Sequence, residues 1–259
     1  MGALDGKVTE KIPGFFNNQA VYPEAADIET SSEDYASRFA GPVGSWFLKV
    51  QENATLEMLA GYPGCTILDV GGGHGQLTGP LLDNGYNVTV FGSSDVCIER
   101  IRQYVDGKRC IFQVGDILDL PYPDRSFDVV ISYRLLPHVI RWKEYLAELA
   151  RVAKQVVMLD YPEIRSVNSL TPYLFSIKKN LEGNTRTYTV FRQDELLDVF
   201  FELGYQRAER YPEFFFPMVL HRKLKAPKIS SGMERISRLL GFTGWFGSPV
   251  ILKMVRSGG

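Results

Sequence analysis

The run Asp69-Val70-Gly71-Gly72-Gly73-His74-Gly75 constrains this chain more than any other stretch. It follows Cys65 to Val70, a short apolar segment that reads as a buried strand. It precedes Gln76 to Asn84, a helical pattern closed by Gly85. Glycines at 71, 72, 73 and 75 let the backbone turn sharply and a ligand approach closely. The start of the following helix favours a carboxylate or phosphate. Turns of this kind are where open α/β sheets hold their ligands.

The same alternation continues downstream. Asn87 to Phe91 reads as a second strand, Asp95 to Val105 as a helix, Arg109 to Val114 as a third strand and Phe127 to Ser132 as a fourth. Trp142 to Ala153 is a helix with Glu144, Glu148 and Arg151 outside, and Gln155 to Asp160 is a fifth strand. Strand and helix in turn, with short connections, predict parallel βαβ units in a doubly wound α/β sheet. Towards the C-terminus, Asp194 to Leu203 reads as a helix and Gln206 to Phe216 as a strand. Lys228 to Leu240 reads as a basic amphipathic helix and Pro249 to Val255 as a closing strand. Before the core, residues 13–33 look like an extended arm, and Tyr35 to Leu59 a helix interrupted around Gly41-Pro42.

Composition narrows the function class. Of 259 residues, 29 are basic and 30 acidic, a formal net charge of −1, which removes the electrostatic case for nucleic-acid binding. No apolar stretch approaches the ~18 residues of a membrane span. The start shows no apolar core of a signal peptide, and Gly6 breaks the myristoylation pattern. Cys65, Cys97 and Cys110 are not spaced as metal ligands; reduced, cytoplasmic thiols and no metal site are the expectation. The basic run Arg222, Lys223, Lys225, Lys228, Arg235 and Arg238 suits phosphate or a lipid headgroup, but by default it is a solvated helix face.

Three ligand classes compete for the glycine loop. A P-loop requires Gly-Lys-Ser/Thr, which does not follow. The dinucleotide fingerprint requires glycine at 76 or 78, where Gln76 and Thr78 stand. Asp-x-Gly-x-Gly-x-Gly, from Asp69 through Gly71, Gly73 and Gly75, fits instead. It resembles the first motif of the class I S-adenosylmethionine-dependent methyltransferases. Gly115-Asp116-Ile117 and Leu120 to Val130 resemble the subgroup that includes ubiquinone and menaquinone methyltransferases. Ser132 to Val139, and the helix ending Glu148 to Lys154, follow that subgroup's order. The resemblance covers residues 35–161 well and the rest loosely. It implies a seven-stranded, mostly parallel, Rossmann-like sheet whose last strand is antiparallel.

The resemblance also implies roles. Asp69 faces the methionyl ammonium of S-adenosylmethionine, and the Gly71, Gly72, Gly73 and Gly75 backbone takes its methionine and ribose portion. Asp116 accepts from the adenine amino group, the Ile117 N–H donates to the ring, and the Ser132 carbonyl meets the ammonium. S-adenosylhomocysteine would be the product. For Asp116 the competing reading is a turn-capping aspartate. The family's ribose-binding acid at the end of the second strand is replaced by Gly92, which leaves Ser93 to offer a weaker neutral hydrogen bond. An aspartate introduced at 92 is expected to keep or improve affinity where the backbone tolerates it. His138 is the candidate general base, against a purely structural histidine at a helix start. His74 reads as a cofactor neighbour.

The expected organisation is an arm and helical cap over 1–60, a cofactor-binding core over 61–161, and an acceptor loop, last strands and basic insertion over 162–259 of the same domain. The acceptor is expected to be a small apolar or amphiphilic metabolite, methylated on oxygen more readily than on carbon or nitrogen. Aromatics of the arm (Phe15, Phe16, Tyr22) and of the loop (Tyr173, Phe175, Tyr188, Phe191), with Arg186, would line its pocket. Neither nucleic acid nor stable membrane insertion is expected, and the oligomeric state is open. The rival is a non-catalytic binding or scaffold protein on the same fold, a reading that Gly92 feeds.

Overall fold

The computed structural model describes residues 22–166 and 188–257. Its sheet is built from β1 (Thr66–Val70), β2 (Asn87–Gly92), β3 (Ile111–Val114), β4 (Phe127–Ser132), β5 (Ala153–Tyr161), β6 (Tyr205–Pro212) and β7 (Val250–Arg256). They lie in the order β3-β2-β1-β4-β5-β7-β6. β1 to β5 pair in parallel, and β7 runs antiparallel between β5 and β6. The doubly wound, mostly parallel sheet with an antiparallel last strand is therefore present.

The strands are apolar on both sides because helices cover both faces. Leu68, Val70, Val130 and Val157 point into one layer with Leu146 and Leu149. Their neighbours Ile67, Val129, Ile131 and Val156 point into the other with Leu59 and Leu81. The helices of those layers include α1 (Asp27–Thr30), α2 (Glu33–Ser37), α3 (Gly41–Leu59), α4 (Thr78–Asp83), α5 (Arg102–Asp106), α6 (Trp142–Val152) and α7 (Gln193–Glu202). Three more, α8 (Met218–Leu224), α9 (Pro227–Leu239) and α10 (Phe242–Phe246), sit between β6 and β7. Arg151 of α6 donates to the carbonyls of Leu120 and Tyr122 at 2.9 and 2.7 Å, which fixes the loop after Asp116.

Local expectations shift in two places. The helix expected over Asp95 to Val105 is a 3-10 turn, Asp95–Ile98, followed by α5. The break lets Arg100 donate to the His74 carbonyl at 3.1 Å, so packing on the glycine loop overrides helical continuity. The interruption expected around Gly41-Pro42 is present: α2 ends at Ser37 and α3 starts at Gly41, with Pro42 in its first turn, where proline lacks no bond. The strand expected to reach Phe216 stops at Pro212, because the Phe215 and Phe216 N–H groups donate to Glu234 at 2.8 and 2.9 Å instead of to a strand. Phe214 itself is core, packed on Phe47 and Val43.

Candidate active site

The site forms where β1, β2 and β4 end. Gly71 and Gly75 take left-handed conformations, φ 77° and 71°, on either side of a 3-10 turn over Gly72–His74. A side chain is excluded at the glycines between them. A Cβ on Gly72 would stand 2.2 Å from Asp69 Oδ2, and one on Gly73 2.5 Å from Ser31 Oγ. Asp69 is fully buried, and neither carboxylate oxygen has a hydrogen-bond partner among the described residues. Burial pushes its carboxyl up to about 7. A buried acid with no partner is costly by itself and suited to a cationic ligand that completes it.

The other expected residues lie around the same edge. Asp116 is half-buried and uses Oδ1 in a turn with the Leu118 N–H at 2.9 Å, the capping arrangement, while Oδ2 has no hydrogen-bond partner among the described residues. Ile117 is buried, and its N–H has no backbone partner among the described residues. Ser132 is buried at the end of β4, with its hydroxyl 2.5 Å from the Tyr145 hydroxyl. His138 is half-buried on a 3-10 turn, its ring 5.6 Å from that of Tyr188. His74 accepts from the Gln76 N–H at 3.2 Å and is pushed down to about 3 by burial, then by Arg134 and Arg100. It is a neutral ring and a poor base.

The arm supplies two acids that sequence reasoning did not single out. Glu24 accepts the Ile140 and Arg141 N–H groups at 2.9 and 3.0 Å. Asp27, fully buried, accepts from both the backbone N–H and the hydroxyl of Ser93, at 2.7 and 2.5 Å. Ser93 therefore does not stand alone at the end of β2; its hydroxyl is committed to a carboxylate. A Cβ on Gly92 would meet Cys97 Cβ at 3.0 Å, Phe112 at 3.3 Å and Asp27 Oδ2 at 3.4 Å. The position does not favour the aspartate that the sequence invites there, because it crowds the pocket and adds a like charge.

A second cluster was also missed. Gln51 Nε2 donates to Asp160 at 3.2 Å and to Glu213 at 2.9 Å. Gln51 Oε1 accepts from Gln76 at 2.8 Å and Arg134 at 3.2 Å. The Arg134 N–H donates to Asp160 at 2.5 Å, and its guanidinium lies 4.1 Å from the Phe39 ring centre. Burial, and then the Asp160 charge, raise the Glu213 carboxyl to about 8. Burial also raises that of Asp160. No local pattern marks these residues, since Gln51 is 109 and 162 positions from its acidic partners.

Of the expected acceptor-loop aromatics, Tyr188 is exposed beside His138, but Phe191 is core, 5.4 Å from Trp142. Phe15, Phe16, Tyr173, Phe175 and Arg186 lie outside the described residues.

Residues 68–158 match the family described as a methyltransferase domain. The segment that carries this match runs from β1 into β5. Over 192 residues it is 26% identical to the demethylmenaquinone methyltransferase of Tropheryma whipplei, covering 68% of this chain and 80% of that protein. Over 94 residues it is 38% identical to the 2-methyl-6-phytyl-1,4-hydroquinone methyltransferase of Synechocystis sp., covering 36% of this chain. The chain spans only 30% of that relative's length. The fold is similar to that of the magnesium protoporphyrin IX methyltransferase from Synechocystis PCC 6803 with bound SAH. That likeness has a TM-score of 0.60 at 16% identity and covers 88% of this chain and 97% of the other. The matched segment thus includes Asp69, Asp116 and Ser132.

Proposed function

We propose that this chain is an S-adenosylmethionine-dependent methyltransferase acting on a small, apolar or amphiphilic acceptor. The observation that carries the reading is the buried, unpartnered Asp69 carboxylate above Gly72, which fits the cofactor's ammonium. When bound, the cofactor supplies a methyl group already activated by a sulfonium. Asp69 and the Ser132 carbonyl hold the ammonium, and Asp116 Oδ2 and the Ile117 N–H hold the adenine. Asp27, seated on Ser93, provides for the ribose hydroxyls the acid that β2 lacks.

The protein's remaining work is to orient the acceptor, exclude water and remove a proton where the nucleophile carries one. His138 takes that proton, and Arg134, fixed by Gln51 and Asp160, orients the acceptor. A histidine base favours a hydroxyl nucleophile, hence oxygen as the methylated atom. The quinone and hydroquinone named for the relatives support an apolar acceptor.

The rival is a non-catalytic binding protein on the same fold, favoured by glycine at 92. Calorimetry with S-adenosylmethionine and S-adenosylhomocysteine, on the wild type and Asp69→Asn, decides the cofactor. Equal binding by both proteins, or by neither, refutes the assignment. Mass spectrometry of a methylated product then separates enzyme from scaffold.

A further inference from the structure

Helix α9 is inside out. Its buried stripe is polar, with Ser230 0%, Glu234 6% and Ser237 4% exposed. Its outer stripe is apolar, with Ile229 58%, Ile236 59% and Leu239 79% exposed. Leu240 follows, and Trp245 and Phe246 of α10 add two exposed aromatic rings, Trp245 at 69%. Glu234 sets this orientation by accepting from the Phe215 and Phe216 N–H groups and contacting His221 Nε2, at 2.8, 2.9 and 2.9 Å. Turning the apolar stripe inward would break all three contacts and leave the Phe215 and Phe216 N–H groups without their acceptor.

The charge around this surface is one-sided. Between residues 218 and 246 stand Arg222, Lys223, Lys225, Lys228, Arg235 and Arg238, and the only acid is the buried Glu234, in a chain of net charge −1. Lys228 and Arg235 are exposed and adjoin Ile229 and Ile236, so each flanks the apolar stripe. An apolar stripe bordered by lysine and arginine, with an exposed tryptophan, is the pattern of a helix that lies in the headgroup layer of a bilayer. No helix among the described residues is long and apolar enough to cross a membrane.

We infer that α9 and α10 dock this protein on an anionic lipid surface, with Ile229, Ile236, Leu239 and Trp245 entering the headgroup layer and Lys228 and Arg235 contacting lipid phosphates. The insertion leaves the sheet after β6 and returns through β7, at the same carboxyl edge as the glycine loop. A docked molecule therefore presents that edge near the bilayer, where an amphiphilic acceptor resides. The docking surface stands on its own residues and does not depend on the methyl-transfer reading.

The test is flotation of the full chain with vesicles of phosphatidylcholine alone and of phosphatidylcholine with phosphatidylglycerol. Binding to the phosphatidylglycerol vesicles, weakened by added salt, is expected. Lys228→Glu/Arg235→Glu and Ile236→Ser/Trp245→Ser should each lower the bound fraction on the order of tenfold. Both variants should keep the wild-type melting temperature and cofactor affinity, because the altered side chains are exposed. No binding to either vesicle, equal binding to both, or undiminished binding by the variants would overturn the inference. So would a lipid-free dimer that both variants dissolve, since the occupant would then be a second copy of the chain.

Discussion

The Asp27 carboxylate is bound by both donors of Ser93, the N–H at 2.7 Å and the hydroxyl at 2.5 Å. This brings an acid from the arm to the end of β2, where the strand itself ends in Gly92. The built Cβ of residue 92 lies 3.4 Å from Asp27 Oδ2, about the reach of a glutamate side chain from its own Cβ. The carboxylate occupies the region an acid on β2 would fill, although it comes from a different part of the chain.

Asp27→Ala should therefore weaken S-adenosylhomocysteine binding by roughly tenfold to a hundredfold. That corresponds to about 1.5–3 kcal/mol for hydrogen bonds to a charged group. Calorimetry measures it. Tighter binding by the variant would show that Asp27 blocks the site instead of building it. Gly92→Asp alone should lose stability through its contacts with Cys97 and Phe112, and combined with Asp27→Ala it should recover part of the affinity.

Cofactor affinity should depend on pH through Asp69. Its carboxyl is raised to about 7 in the free protein, and an ammonium partner requires the ionised form. Below pH 7 the site must release a proton to bind, so affinity should fall by up to about tenfold per pH unit. Calorimetric enthalpies should vary with the ionisation enthalpy of the buffer, and Asp69→Asn should abolish binding. A flat affinity between pH 5.5 and 8, a window that brackets the raised value of about 7, would contradict the role.

Glu213 should make the fold less stable in alkali. Its folded pKa, about 8, is raised above the ordinary carboxylate value of 4.5. The folded state thus holds a proton that the unfolded chain has released. That contribution is fully present below pH 4.5, erodes as pH rises and is lost through pH 8, at no more than about 1.4 kcal/mol per pH unit. Urea midpoints measured against pH should show this decline, and Glu213→Gln should flatten it while keeping an oxygen for the Gln51 amide. An unchanged slope in the variant would place the titration elsewhere.

Gln51→Leu should separate binding from turnover. It removes the group that joins Asp160, Glu213, Gln76 and Arg134, leaving buried acceptors unpaired at a cost of about 1–3 kcal/mol each. Turnover of a hydroquinone acceptor should drop while cofactor affinity changes less than about threefold, within ~0.7 kcal/mol. An equal loss of both would put the cluster in the cofactor site.

What could be read from the chain itself was everything built from neighbours in sequence. The strands β1 to β5 were legible because a parallel sheet covered on both faces demands short, continuous apolar runs. The loop Asp69 to Gly75 was legible because its turn, its carboxylate and its left-handed glycines are consecutive. Tertiary structure decided what depends on distant segments. Asp27 meets Ser93 across 66 positions, and Gln51 meets Glu213 across 162, so no spacing rule reveals either pair. The amphipathic pattern of α9 was plain, but not which stripe would face inward. Three contacts to Glu234 from outside the helix settle that, because leaving the two backbone donors and the buried His221 ring without their partner is costlier than exposing isoleucine and leucine to water.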